Sequence, residues 1–82
     1  MDDLESSGLT KQRRAVLRAI RESDEHLTAN EVFERARRLL PRISFATVYN
    51  SLRYLKNEGL IVEIRFGADC IRYDRKPKAA RS

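Results

Sequence analysis

The chain has 82 residues, 41% of them hydrophobic, enough for one small domain that buries about 60–65% of the surface its unfolded form exposes. Seventeen lysines and arginines face twelve acids, a net charge of +5, and because Asp2, Asp3 and Glu5 lie at the very start, the body from Gly8 onward is more basic still. That body points to a polyanionic partner, while the absence of any apolar run near ~18 residues, of a secretory leader and of paired cysteines excludes a membrane span, export and a disulfide or zinc framework. A cytoplasmic protein is expected.

A short helix over 2–6 is compatible with the pattern, and Gly8-Leu9-Thr10 opens the first clear one, with Thr10 as its N-cap. Leu9, Val16, Leu17 and Ile20 recur there at helical spacing, with Ala15 and Ala19 alongside, until Ser23-Asp24-Glu25 ends it. Thr28-Ala29-Asn30-Glu31 has the form of a capping box, in which hydroxyl and carboxylate each satisfy a backbone N–H at the helix start. Ala29, Val32, Phe33, Ala36 and Leu40 form the apolar stripe of this second helix, and Pro41 closes it by disfavouring helical geometry at Leu40. Ser44 caps a third helix, with Phe45, Val48, Leu52 and Leu55 predicted to face inward and Gly59 to stop it in a left-handed conformation. Only four residues separate Leu40 from Phe45, a connection suited to two steeply crossed helices.

The period then changes to two. Leu60, Val62, Ile64 and Phe66 alternate with Ile61, Glu63 and Arg65, and Cys70 to Arg75 alternates with Ile71 and Tyr73 on one side. Gly67-Ala68-Asp69 joins the two runs as a three-residue hairpin loop. The expected architecture is mainly α with a small β-hairpin wing, a winged helix-turn-helix, over residues 1–75. Residues 76–82 are expected to form a disordered basic tail or the start of a hinge.

On a helical wheel, Ala46, Thr47, Asn50, Arg53 and Tyr54 lie opposite the apolar side of the third helix, with Tyr49 on the boundary. A helix entering the major groove presents base contacts from its N-terminal half, which makes Ser44, Thr47, Tyr49 and Asn50 the candidate readers. Asn pairs with an adenine edge, and the Thr methyl and Tyr ring pack on thymine methyls. Small Ala46 permits close approach, and Arg53 is placed for a phosphate. Ser44 serves equally as a plain cap, Tyr49 as an aromatic at the edge of the core, and Tyr54 as an anchor for a protein partner. Arg65 and Arg72 on the wing, and Lys11, Arg13 and Arg14 in the first turn of the first helix, are further candidates for backbone phosphates. One histidine, with no nucleophile–base pair and no phosphate-cradling glycine loop, argues against an enzyme. The alternative is a winged-helix interaction module without DNA readout, anchored by Tyr54 and Tyr73.

Four segments together carry a resemblance: 9–17 (LTKQRRAVL), 27–33 (LTANEVF), 43–52 (ISFATVYNSL) and 59–61 (GLI). They closely resemble the N-terminal half of the ferric uptake regulator family, over roughly residues 8–75, the Ser-x-Ala-Thr-Val-Tyr run being the most specific. The resemblance implies a winged-helix repressor that, loaded with metal, binds an AT-rich palindromic operator as a dimer, with Tyr49 matching the family's base-contacting tyrosine. It tilts toward the peroxide-sensing branch: Asn50 follows the tyrosine where iron-responsive members commonly carry arginine, and Asp74 stands where a regulatory metal ligand lies. His26 aligns with a second ligand of that site. In that branch bound iron generates an oxidant that modifies its own histidine ligands, and repression ends. Iron or manganese, with zinc as a further option, is implied for a full-length relative and no cofactor for this chain alone, because His26 and Asp74 are at most two ligands. The family's dimerisation domain, with its histidine-rich ligands and zinc-binding cysteine pairs, does not appear in the sequence, and a homodimer is expected only with it. Gly8 occupies the place of a basic residue common in the family, with Lys11 as a substitute. The end soon after Asp74, where the hinge would begin, favours a truncated chain over a naturally short one.

Overall fold

The computed structural model describes residues 10–67 and 70–75. Three helices, α1 (Lys11–Arg21), α2 (Ala29–Leu39) and α3 (Phe45–Asn57), are accompanied by a short strand β1 (Leu27–Thr28) and a hairpin of β2 (Ile61–Arg65) and β3 (Ile71–Arg75). This is the expected winged helix-turn-helix. The anticipated helix over 2–6, the tail 76–82 and the loop residues 68–69 lie outside the described residues.

Each helix begins at its predicted cap. Thr10 accepts from the Arg13 N–H at 3.2 Å. Thr28 accepts from the Glu31 N–H at 3.2 Å while Glu31 Oε1 accepts from the Thr28 N–H at 2.9 Å, closing the capping box. Ser44 accepts from the Thr47 N–H at 3.1 Å. The first helix stops at Arg21, and beyond it the Ser23 hydroxyl bonds the carbonyl and the N–H of Glu25, both at 3.0 Å. At the turn between α2 and α3, Leu40 is extended (φ −134°, ψ 91°), the conformation Pro41 imposes on the residue before it. Gly59 ends α3 at φ +78°, a region that side chains with a Cβ rarely enter.

Val16, Leu17 and Ile20 of α1, Val32 and Ala36 of α2, and Val48, Leu52 and Leu55 of α3 meet in one core that Leu27, Ile43, Ile61 and Tyr73 complete. Two details of the predicted α3 stripe need correction. Phe45 is 41% exposed and sets its ring edge-on against Phe33, centroids 5.5 Å apart, instead of entering the core. Its inward place is taken by Ser51, which is buried.

The wing is also larger than a hairpin. A three-stranded antiparallel sheet runs β1-β3-β2, with Leu27 opposite Tyr73 and Thr28 opposite Arg72. On the other side of β3, Glu63 faces Tyr73 and Ile64 faces Arg72. Directly opposed residues share a face. Leu27, Ile61, Glu63 and Tyr73 therefore look toward the helices, while Val62, Ile64, Arg72 and Asp74 look away. Burial, with Glu63 and Tyr49 close by, pushes the Tyr73 phenol up from its ordinary pKa. Phe66 N–H donates to the Cys70 carbonyl at 2.7 Å, and Gly67 turns the loop at φ +86°.

Candidate nucleic-acid interface

Burial divides α3 sharply. Val48, Leu52 and Leu55 are fully enclosed, and Ser51 nearly so. Ala46, Tyr49, Asn50 and Arg53 are exposed, and Thr47 is half-buried. The polar side of the helix stands clear of the fold, so its residues are accessible to a partner the size of a duplex. Tyr49 is 46% exposed. Tyr54 departs from the wheel's expectation: it packs against the core, with the Arg13 guanidinium 3.7 Å from its ring centroid. That stacking is a cation–π contact that ties the first turn of α1 to the later part of α3.

The predicted site residues separate into committed and uncommitted groups. The Ser44 hydroxyl is committed to capping, since it also donates to Thr47 Oγ1 at 3.0 Å. Arg72 Nη1 donates to the His26 carbonyl at 3.0 Å and to Glu31 Oε1 at 3.3 Å, binding the central strand to the start of α2. Arg13 lies on Tyr54, and Arg14 beside it is half-buried. Lys11, Arg53 and Arg65 are exposed, and among the described residues their side chains make no hydrogen bond or ion pair. Lys11 stands at the start of α1, Arg53 midway along α3 and Arg65 at the end of β2, so the three uncommitted cations come from three separate elements.

Glu31 escaped the sequence reading as anything more than a capping residue. The same carboxylate oxygen serves the capping box and Arg72, a role that only the pairing of β1 with β3 creates. Lys56 and Glu63 form a second such tie at 2.7 Å, joining the end of α3 to β2. The ammonium at that hydrogen bond holds the Glu63 carboxyl below its usual range.

Away from α3, on the outer sheet face, His26 Nδ1 and Asp74 Oδ2 lie 2.7 Å apart despite their separation in sequence. The other Asp74 oxygen accepts from the Arg75 N–H at 2.7 Å. Phe66 covers the imidazole, ring centroids 5.8 Å apart. Among the described residues no cluster of three or more metal-ligating side chains occurs, and no helix is long and apolar enough to cross a membrane.

Comparison with known proteins agrees with this geometry. The model of the ferric uptake regulator family matches residues 6–81. A peroxide-responsive repressor, PerR, from Staphylococcus epidermidis is 38% identical over 66 residues, 80% of this chain and 44% of that protein. Its Staphylococcus aureus counterpart is 39% identical over 66 residues, covering 80% and 45%. Among solved structures, the Campylobacter jejuni peroxide stress regulator superposes with a TM-score of 0.76 at 31% identity, covering 94% of this chain and 56% of that one. A manganese uptake regulator superposes with a TM-score of 0.80 at 27% identity, covering 93% and 57%. The chain spans less than half the length of these two curated relatives.

Proposed function

This chain belongs to the ferric uptake regulator family, and on that premise we propose that it is the DNA-reading part of a metal-responsive transcriptional repressor of the peroxide-sensing branch. The observation that carries the reading is the division of α3 into a fully enclosed apolar side and an accessible side of Ala46, Thr47, Tyr49, Asn50 and Arg53. Similarity to two peroxide-responsive repressors supports the branch.

The N-terminal half of α3 enters the major groove, where Asn50 pairs with a base edge and Tyr49 and Thr47 contact thymine methyls. Ala46 carries no side chain beyond Cβ and lets the backbone come close. Ser44 acts through the cap, fixing the direction in which α3 starts. Arg53 neutralises a phosphate, as do Lys11 and Arg14 at the start of α1, while Arg13 on Tyr54 keeps that turn beside α3. Arg65 extends from the wing toward the flanking backbone or minor groove. The partner is an AT-rich, palindromic duplex bound in the cytoplasm, and a dimer is built by a domain beyond this sequence.

His26 and Asp74 offer an imidazole nitrogen and a carboxylate oxygen, a donor pair suited to iron, manganese or zinc, so the residues fit part of a regulatory metal site. The other ligands must come from beyond the described residues. When bound, iron supplies the redox chemistry that peroxide sensing needs. The pairing of β1 with β3 holds the two donors together, and Phe66 shields the imidazole from water on one side.

The reading as a protein-interaction module fits less well, since Tyr73 is buried and Tyr54 lies beneath Arg13, which leaves neither ring as an exposed anchor. Enrichment of duplexes from a random pool tests the proposal. Tyr49→Ala is expected to lower preference for the enriched sequence more than bulk affinity, and Arg53→Ala to weaken enriched and random duplexes alike. If the two variants behave identically on both, α3 does not read bases.

A further inference from the structure

Beside the accessible side of α3 runs a groove of about 440 Å³, walled by Lys11 and Gln12 of α1 and by Ser44 and Thr47 of α3. The turn of Leu40, Pro41, Arg42 and Ile43 forms the rest of it. Leu40, Pro41 and Ile43 give the groove an apolar floor, while Lys11, Gln12 and Arg42 are exposed at its rim. Among the described residues, the side chains of these three make no hydrogen bond or ion pair. Among the described residues Arg53 of α3 and Arg65 of β2 are likewise without a carboxylate partner, whereas Arg18, Arg37, Lys56 and Arg72 each have one within 4.0 Å. The groove thus sets two uncompensated cations and one amide around apolar carbon, immediately ahead of the helix that meets the duplex.

A DNA strand has the matching pattern: deoxyribose carbons between phosphates. We propose that this groove seats one sugar–phosphate unit of the strand bordering the major groove, with Arg42 and Lys11 on either side of the phosphate and Gln12 donating to it. The assignment rests on the DNA-reading function proposed above. It makes Arg42, two residues before the Ser44 cap, a positioning residue that sets how deeply α3 enters irrespective of base sequence. Arg is suited to this place, because its planar fork matches a phosphate with two parallel bonds.

The wild-type chain and its variants are titrated onto a random-sequence duplex of about 20 base pairs at several salt concentrations, with binding read by fluorescence anisotropy. Each phosphate contact contributes about 0.9 to the slope of log K against log salt. Arg42→Ala is expected to reduce that slope by about 0.9 and to weaken binding about fivefold at 0.15 M salt. Lys11→Ala should do the same, and Arg42→Lys should keep most of the slope. Arg35→Ala removes an exposed charge that lies outside the groove and should leave the slope nearly unchanged. If Arg42→Ala matches Arg35→Ala while the wild type binds duplex, the groove assignment is wrong and the DNA reading stands. If the wild type binds no duplex, both go. Saturable binding of inorganic phosphate to the free chain, abolished by Arg42→Ala, would mark a free-anion site and also overturn the assignment.

Discussion

Replacing Ala46 with leucine isolates the groove-entry step from folding. Ala46 is exposed on the first turn of α3, and alanine and leucine are both strong helix formers, so a change in stability within about 0.5 kcal/mol is expected. The effect on binding should be far larger. A helix with its side chains is about 10–12 Å across and the major groove about 12 Å wide, which leaves roughly 2 Å of clearance at most. Leucine extends about 2.5 Å beyond the alanine methyl and displaces the helix by a similar amount. The Asn50 hydrogen bonds to a base edge, which need about 2.7–3.2 Å, and the Thr47 methyl contact are then lost. At about 1–3 kcal/mol for a bidentate base pairing, losing even one such contact with its neighbour means roughly 30-fold weaker binding to the preferred duplex. Random duplex, held by phosphates alone, should lose less than about threefold. The assay is anisotropy with the enriched and a random duplex, alongside a thermal melt by circular dichroism. Unchanged affinity for the enriched duplex, with an unchanged melt, refutes the placement of this side of α3 in the groove.

Gly59→Ala should destabilise by about 1 kcal/mol, a fall of about 4–8 °C in Tm; a Cβ there meets nothing within 4 Å, so the whole effect comes from the positive φ, and an unchanged melt would show that the turn relaxes freely. The depressed pKa of Glu63 makes its tie to Lys56 fully effective above the unfolded carboxyl pKa of about 4.3. The tie is lost as pH falls through the lower folded value, so between about pH 5 and pH 2 the wild type should lose about 0.2–1 kcal/mol more than Glu63→Gln in urea titrations, and parallel curves would remove the tie as a source of stability. Added Mn²⁺ should broaden the amide signals around His26 and Asp74 first, and His26→Ala should abolish that effect. Broadening centred elsewhere would remove the pair as metal ligands.

What could be read from the sequence is what short-range chemistry decides. The caps at Thr10, Thr28 and Ser44 each close within three residues, so residue type and spacing sufficed to place them. The inner stripe of α3 differs from the one that Phe45 suggests. The enclosed residues are Val48, Ser51, Leu52 and Leu55, an i, i+3, i+4, i+7 set in which the serine conceals the pattern. Phe45, the first residue of the helix, sets its ring edge-on against Phe33 and stays 41% exposed. Tyr54 lies at the edge of the stripe, and its burial depends on Arg13 from another helix. A two-residue strand such as β1 has no detectable period of its own; it exists because β3 offers Leu27 and Thr28 a partner.

That short strand also changes the meaning of the two wing cations. An isolated hairpin is marginally stable, and here the third strand and Arg72 fix it to the body of the fold. Arg72 reaches from the central strand to the His26 carbonyl and to the carboxylate that completes the α2 capping box. It therefore anchors the base of the wing, whereas Arg65, at the exposed end of β2, makes no hydrogen bond or ion pair among the described residues and is the wing cation proposed to meet the duplex. The two variants should separate accordingly. Arg72→Ala lowers stability by about 1 kcal/mol in a thermal melt, since it removes a partly exposed ion pair and the exposed hydrogen bond to the His26 carbonyl. Arg65→Ala leaves the melt unchanged and weakens random-duplex binding about fivefold at 0.15 M salt, the share of one phosphate contact. An Arg72→Ala chain that melts like the wild type but loses the same fraction of DNA affinity as Arg65→Ala would mean that the guanidinium leaves its anchor to meet the phosphate, and that the wing is held by backbone pairing alone.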